Sequence, residues 1–217
     1  MGTPTHTYLI IGCGYFGHRA AEKLFQKDLK SKIIVVDKSK KALQKVSRLP
    51  IQIAASDGII YLSQFLSKGR KADYIIPAVP LHLAFEFVLF QLKPMGIKRR
   101  EVPTLSGLPN PMMGKTGDLY TSFTKFLCPE DCLEPAKYCT ITQEKRLNPL
   151  YKIINDLEGV FESRVIRSHQ LGPGIGGFRP KALLDLIEDI KRKKDSGQSV
   201  LVSTASRCHG VTSALSF

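Results

Sequence analysis

The sequence has no apolar run long enough to cross a bilayer. Such a span needs roughly 20 residues, and the longest stretch, LHLAFEFVLFQL at 81–92, carries Glu86 and Gln91. A charged N-terminal region followed by an apolar core is also missing, so no export signal is expected and a reducing, cytoplasmic setting is. Repeats, low-complexity tracts and obvious linkers are absent, which leaves one domain over 1–217 as the reading. Acidic residues are scarce, 19 Asp and Glu against 32 Lys and Arg, giving a formal charge of +13. The basic residues are scattered at 38–41, 70–71, 98–100 and 191–194. There is no aromatic-basic interleaving and no helix-turn-helix or zinc-finger spacing. A specific nucleic-acid site is therefore not expected, and the charge reads as a solvated basic surface that helps bind anionic cofactors.

What is present is ordinary globular material, 43% hydrophobic and 24% charged. Short apolar runs read as strands at 7–12, 32–37, 51–54, 73–79, 102–106, 161–169 and 199–205. Helix-period segments fall at 16–27, 39–46, 58–67, 82–93, 147–158 and 179–194. That alternation predicts an α/β, doubly wound, mainly parallel sheet of Rossmann-like form with about seven strands. Residues 107–146 are long, irregular and rich in Pro, Gly and Cys, and read as an insertion at the carboxyl edge of the sheet.

The stretch TYLIIGCGYFGHRAAEKL at 7–24 places Gly12, Gly14 and Gly17 between an apolar strand and an amphipathic helix. Asp37 ends the next strand, 20 residues after Gly17. This is the context a dinucleotide turn requires. Gly12 allows the tight turn, Gly14 lets a pyrophosphate approach, and Gly17 lets helix and strand pack closely. The helix start, at Tyr15 and Phe16, offers amide groups to phosphate. Asp37 would accept from ribose hydroxyls, favouring NAD over NADP, while Lys38, Lys40 and Lys41 blunt that preference. A second glycine-rich turn, LGPGIGG at 171–177, is either an anion cradle with Arg179 beside it or a flexible turn. Gly114-Lys115-Thr116 is not a Walker A motif, because the glycine it needs at 109 is Pro109.

The residues 8–24 together with KIIVVDKSKKAL at 32–43 resemble the Rossmann NAD-binding superfamily. They are particularly similar to the nucleotide-binding (RCK) domains of Trk-type potassium-uptake regulators, over about residues 5–95. DYIIPAVPLHLA looks like the fourth strand of NAD-dependent dehydrogenases. That resemblance implies that Ala78, Val79 and Pro80 border the nicotinamide half. It implies potassium-transport regulation as one function and NAD-dependent oxidoreduction as another.

The chain has five cysteines. In a reducing compartment they suggest metal or redox chemistry rather than disulfides. Cys128, Cys132 and Cys139 lie in the insertion, and Cys208-His209 follow the seventh expected strand. Strand order sends all of these to the carboxyl edge, beside the nucleotide. Cys13 reads as a buried structural thiol. His82 and His169 read as polar loop residues.

The expected function is an NAD(H)-binding, redox-linked Rossmann protein with an iron–sulfur or zinc centre held by Cys128, Cys132, Cys139, Cys208 and His209. The alternative is a non-catalytic nucleotide-sensing module. No general acid or base stands out; Glu86, Glu130, Asp131 and His169 are candidates by position only. Expected partners are the dinucleotide, a second copy of the chain, and either a membrane transporter or an electron-transfer protein. For a single zinc, the sulfurs should crowd within about 4 Å of one another.

Overall fold

A computed structural model describes residues 5–193 and 198–217. The N-terminal half forms a four-stranded parallel sheet from β1 (Thr7–Ile11), β2 (Lys32–Asp37), β3 (Gln52–Ala55) and β4 (Tyr74–Pro77), in the order β3-β2-β1-β4. The period-2 alternation of the strands sorts their side chains. Tyr8, Ile10, Ile33 and Val35 pack on one face against α1 (Tyr15–Lys27) and α2 (Lys40–Gln44). Leu9, Ile11, Ile34 and Val36 pack on the other against α3 (Gly58–Ser67), α4 (Leu83–Leu92) and α6 (Pro180–Arg192). Sheets buried on both faces need such continuous apolar strands.

A second, mixed sheet follows. Its order is β6 (Met112–Met113), β7 (Leu119–Ser122), β12 (His209–Ser216), β11 (Ser199–Ala205), β8 (Phe161–Arg167). A short strand β5 (Lys98–Arg100) pairs with the far end of β12. Strands β8 and β11 are parallel, joined through α6, while β12 runs antiparallel to β11. Val200, Val202 and Leu215 turn towards α4 and α6, into the same core as the first sheet. Leu201 and Ala214 face α5 (Leu150–Asn155) on the outside. The layers thus run α1 and α2, first sheet, α3, α4 and α6, second sheet, α5.

The α/β, Rossmann-like fold class is that read from the sequence, and the helices fall within a few residues of their expected places. The expected helix 179–194 ends at Arg192, and Lys194 lies outside the described residues. Two features differ. The strands divide between two sheets rather than forming one. The free edge of β4 is occupied by Phe178, which exchanges both backbone hydrogen bonds with Ile75 at 2.8 and 2.9 Å, so β8 and β11 pair elsewhere. Residues 102–106 form no strand, since Pro103 cannot donate to a ladder; the pairing falls on Lys98–Arg100 instead.

Candidate functional site

The turn after β1 gives each glycine a different task. Gly12 has φ +103°, and a Cβ there would meet the Ala78 carbonyl oxygen at 2.3 Å. A Cβ at Gly17 would meet the Gly12 carbonyl oxygen at 2.0 Å. At Gly14 a Cβ would meet nothing within 4 Å, so space opens in front of this residue alone of the three. Gly14 caps α1 without a side chain, and no acid lies in the first turn. The first amide groups of the helix therefore point towards that space without an intrahelical acceptor.

Asp37 holds the turn from the side. Its carboxylate accepts from the Cys13 amide at 2.6 Å and the Ser39 amide at 2.7 Å. Lys38 reaches away to Asp57, Nζ to Oδ2 2.7 Å. Asp57 also caps α3 at Ile59 and Ile60. The Lys38 ammonium and these amides hold its carboxyl below the usual carboxylate range. Gly12, Asp37, Lys38, Asp57, Val79 and Pro80 border one cleft. Phe16, Ala78, Val79 and Pro80 border a neighbouring cleft of about 430 Å³, whose far wall is Gly174–Gly176.

The cysteines separate into one and four. Cys13 is fully buried in the first core, its thiol donating to the Ala42 carbonyl at 3.3 Å. Cys128, Cys132, Cys139, Cys208 and His209 all line a single cavity of about 200 Å³. Each element delivers one piece. Strand β7 leads into Cys128, whose Sγ lies 3.5 Å from His209 Nε2. Cys132 Sγ accepts from the Glu134 amide at 3.4 Å. Cys139 closes a tight turn, its backbone carbonyl accepting from the Gln143 amide at 2.9 Å. Cys208 sits between β11 and β12, its amide donating to Glu134 Oε1 at 3.0 Å and its sulfur accepting from Arg146 Nη1. The five cysteines are free thiols.

Burial, then the Glu134 carboxylate, pushes the Cys208 thiol up to about 11, against the pull of Arg146. The Cys139 thiol lies below its ordinary value, chiefly because the Thr142 amide donates to it. Burial lowers His209. Arg146 Nη2 is buried with no hydrogen-bond partner among the described residues. No three His, Cys, Asp or Glu side chains among the described residues come close enough to enclose one ion. The four thiols and His209 nevertheless line one and the same cavity.

The thiol cavity and the cleft at Ala78–Pro80 share a wall, the hairpin of β9 (His169–Gly172) and β10 (Ile175–Gly177). Pro173-Gly174 makes its turn, Gly174 having φ +67°, as a type II turn demands. The LGPGIGG stretch is thus a hairpin, and Arg179 lies over the Tyr74 ring. The Gly174 amide and the Gln170 side chain both donate to the Cys132 carbonyl, at 3.2 and 2.6 Å. From the other side, Tyr15 donates to Glu130 at 2.7 Å and Arg19 pairs with it at 3.4 Å. The Cys-bearing loop is thereby tied to the first turn of α1.

The remaining candidates lie elsewhere. Glu86 pairs with Arg99 beyond the cleft, and His169 packs edge-on to Tyr74. Asp131 is exposed, and Lys115-Thr116 form the tip of the β6–β7 hairpin. Arg146, Glu134 and Asp57 were not legible as site residues. Only Asp57 carried a signal, an Asp immediately before a glycine and an apolar helix.

A parallel sheet with this turn at its first carboxyl end defines an α/β protein of Rossmann-like class. The chain belongs to the family described as AF_1314_C, uncharacterized protein, C-terminal domain, whose match covers residues 84–217, from α4 through the second sheet. It is also similar to an uncharacterized protein of Archaeoglobus fulgidus, 25% identical over 221 residues, covering 95% of this chain and 98% of the relative. Among the described residues no helix is long and apolar enough to cross a membrane.

Proposed function

We propose that this chain is an NAD(H)-binding, redox-linked protein in which the dinucleotide lies beside a thiolate-held metal or iron–sulfur centre. The observation that carries the reading is the shared hairpin: Gly174–Gly176 bounds both the cleft beside the glycine turn and the cavity of four thiols. The residues fit both groups. Open space at Gly14 and the unpaired amides of α1 suit a pyrophosphate, and Asp37 suits a ribose. Four thiols and an imidazole are a soft donor set for zinc or iron, and the unpartnered Arg146 Nη2 suits a centre of net negative charge. When bound, an iron–sulfur centre supplies one-electron chemistry, whereas zinc supplies local order. The protein's own contribution is to hold the loop 123–146 over the hairpin and to shield the thiols.

A second reading, a nucleotide-sensing module similar to the potassium-uptake regulators, is favoured by one observation. The cleft next to Ala78–Pro80 is lined by Phe16, Ala20, apolar strand residues and glycines, with no titratable side chain among them. Such a cleft binds a ring without supplying an acid or base.

Gly14→Val tests the shared premise. Its backbone φ of −68° suits any residue and its Cβ meets nothing, so the variant should fold like the wild type. Calorimetry should show NAD(H) binding to the wild type and its loss in the variant, with an unchanged melting curve. Equal binding by both would overturn the nucleotide assignment.

A further inference from the structure

We propose that the thiol cavity is built for a polynuclear iron–sulfur cluster with Cys128, Cys132, Cys139 and Cys208 as its four ligands, His209 and Arg146 standing outside that set as donors to the ligand sulfurs. The proposal rests on the metal-centre reading above and chooses between its two forms. Size is the first argument. A water-sized species needs roughly 10–15 Å³ of cavity, and a single zinc draws its sulfurs to about 2.3 Å, leaving no cavity between them. The cavity that the four cysteines line together with other residues is about 200 Å³. That is an order of magnitude too large for one ion, yet below the roughly 300–1,000 Å³ typical of organic ligand pockets. A compact inorganic cluster lies between those limits.

Donor geometry is the second argument. His209 has both ring nitrogens committed. Nδ1 is 3.0 Å from Ser122 Oγ and Nε2 is 3.5 Å from Cys128 Sγ. With Ser122 donating to Nδ1, the Nε2–H faces the Cys128 sulfur as a donor, which is the tautomer an outer partner of a thiolate requires. Arg146 does the same for Cys208 through Nη1, and its buried Nη2 remains available to a sulfide or thiolate. Two cationic or N–H donors aimed at ligand sulfurs offset the negative charge that four thiolates bring, and such contacts set the potential of a cluster. The third argument is that the four sulfurs come from three separate segments (the β7–α5 loop at 128–132, its turn at 139, and the β11–β12 corner), so the ligands surround the space.

The test is anaerobic reconstitution of the full chain with iron and sulfide salts, run beside a parallel sample given zinc alone. Iron and acid-labile sulfide are expected in equal amounts, about two or four of each per chain, with all four cysteines ligating. Cys128→Ser, Cys132→Ser, Cys139→Ser and Cys208→Ser should each lose most of the iron. His209→Ala and Arg146→Gln should retain it, with a midpoint potential more negative than that of the wild type. Uptake of one zinc per chain with no iron or sulfide incorporated would overturn the cluster while leaving a metal centre. Iron lost in His209→Ala but kept in a cysteine variant would overturn the ligand set. Should a cysteine variant fail to fold, the iron-to-sulfide ratio of the wild type still decides. Nucleotide calorimetry on the same samples reports separately on the dinucleotide reading.

Discussion

Asp37 does two things at once, and under the proposed function its chemistry would decide which cofactor the cleft prefers. Its carboxylate braces the glycine turn through the Cys13 amide and remains an acceptor on the cleft wall. Lys38, the next residue, pairs with Asp57, a second carboxylate on the same wall. A 2′-phosphate would therefore meet two acids. NAD(H) should bind more tightly than NADP(H), and Asp37→Ser should narrow the gap, since hydrogen bonds to a charged acceptor contribute on the order of 1.5–3 kcal/mol each. The ratio of the two affinities is the quantity to measure, because loss of the brace weakens both. Tighter NADP(H) binding by the wild type would assign the preference to Lys40 and Lys41 instead.

At the scale of elements, the β9–β10 hairpin is the piece on which the site depends. A Cβ at Gly174 would lie 1.9 Å from the Glu130 carbonyl oxygen, on a backbone with φ +67°. Gly174→Ala should therefore lower the melting temperature by several degrees, at about 2–4 °C per kcal/mol for a chain of this size. It should also speed labelling of Cys132 by a thiol reagent, because the displaced backbone carries that residue. An unchanged melting curve and labelling rate would show that the loop does not lean on the hairpin. The sequence made the glycine turn, β1, β2 and α1 plain, because those elements are set by local periodicity and local backbone demands. It concealed β12, whose pattern is blurred by Thr212 and Ser213, both fully buried, the first satisfied by Ser203 on the neighbouring strand and the second by His82 far along the chain. The sequence brought Cys128, Cys132, Cys139 and Cys208 together through the strand order of a single sheet; they line one cavity although the strands form two sheets and 102–106 is not a strand. Arg146 and Glu134 had no local signature, since each is placed by contacts with residues more than sixty positions away.

At the scale of the whole molecule, a polar chain runs from the start of α4 into the second sheet. His82, at the start of α4 and 3% exposed, lies 2.8 Å from Ser213 Oγ on β12 and 2.9 Å from Thr204 Oγ1 on β11. Ser213 donates onward to Asp118, which is paired with Arg99 at 2.8 Å. Burial holds the His82 imidazole down to about 3, with Asp118 pulling the other way and Arg99 reinforcing the effect. The unfolded imidazole protonates near 6.5. Stability is therefore full above that value and falls as pH drops from about 6.5 towards 3, by on the order of 1 kcal/mol per pH unit within the window. Urea unfolding at pH 7.5 and 5 should show this loss in the wild type and a shallower one in His82→Gln, which keeps polar atoms near both hydroxyls. Asp118 does not confuse the comparison, because its carboxyl is held below the usual carboxylate range and titrates at lower pH. Equal losses in the two proteins would mean that His82 is not the group responsible.

One wall serving two rooms has a thermodynamic meaning. Whatever occupies the thiol cavity presses on Gly174–Gly176 from one side, and whatever occupies the cleft at Ala78–Pro80 presses from the other. If filling one side changes affinity on the other by some factor, filling the second must change affinity on the first by that same factor. Under the proposed function, any such coupling between the state of the sulfurs and a bound dinucleotide would run through these three residues, in both directions and at equal strength.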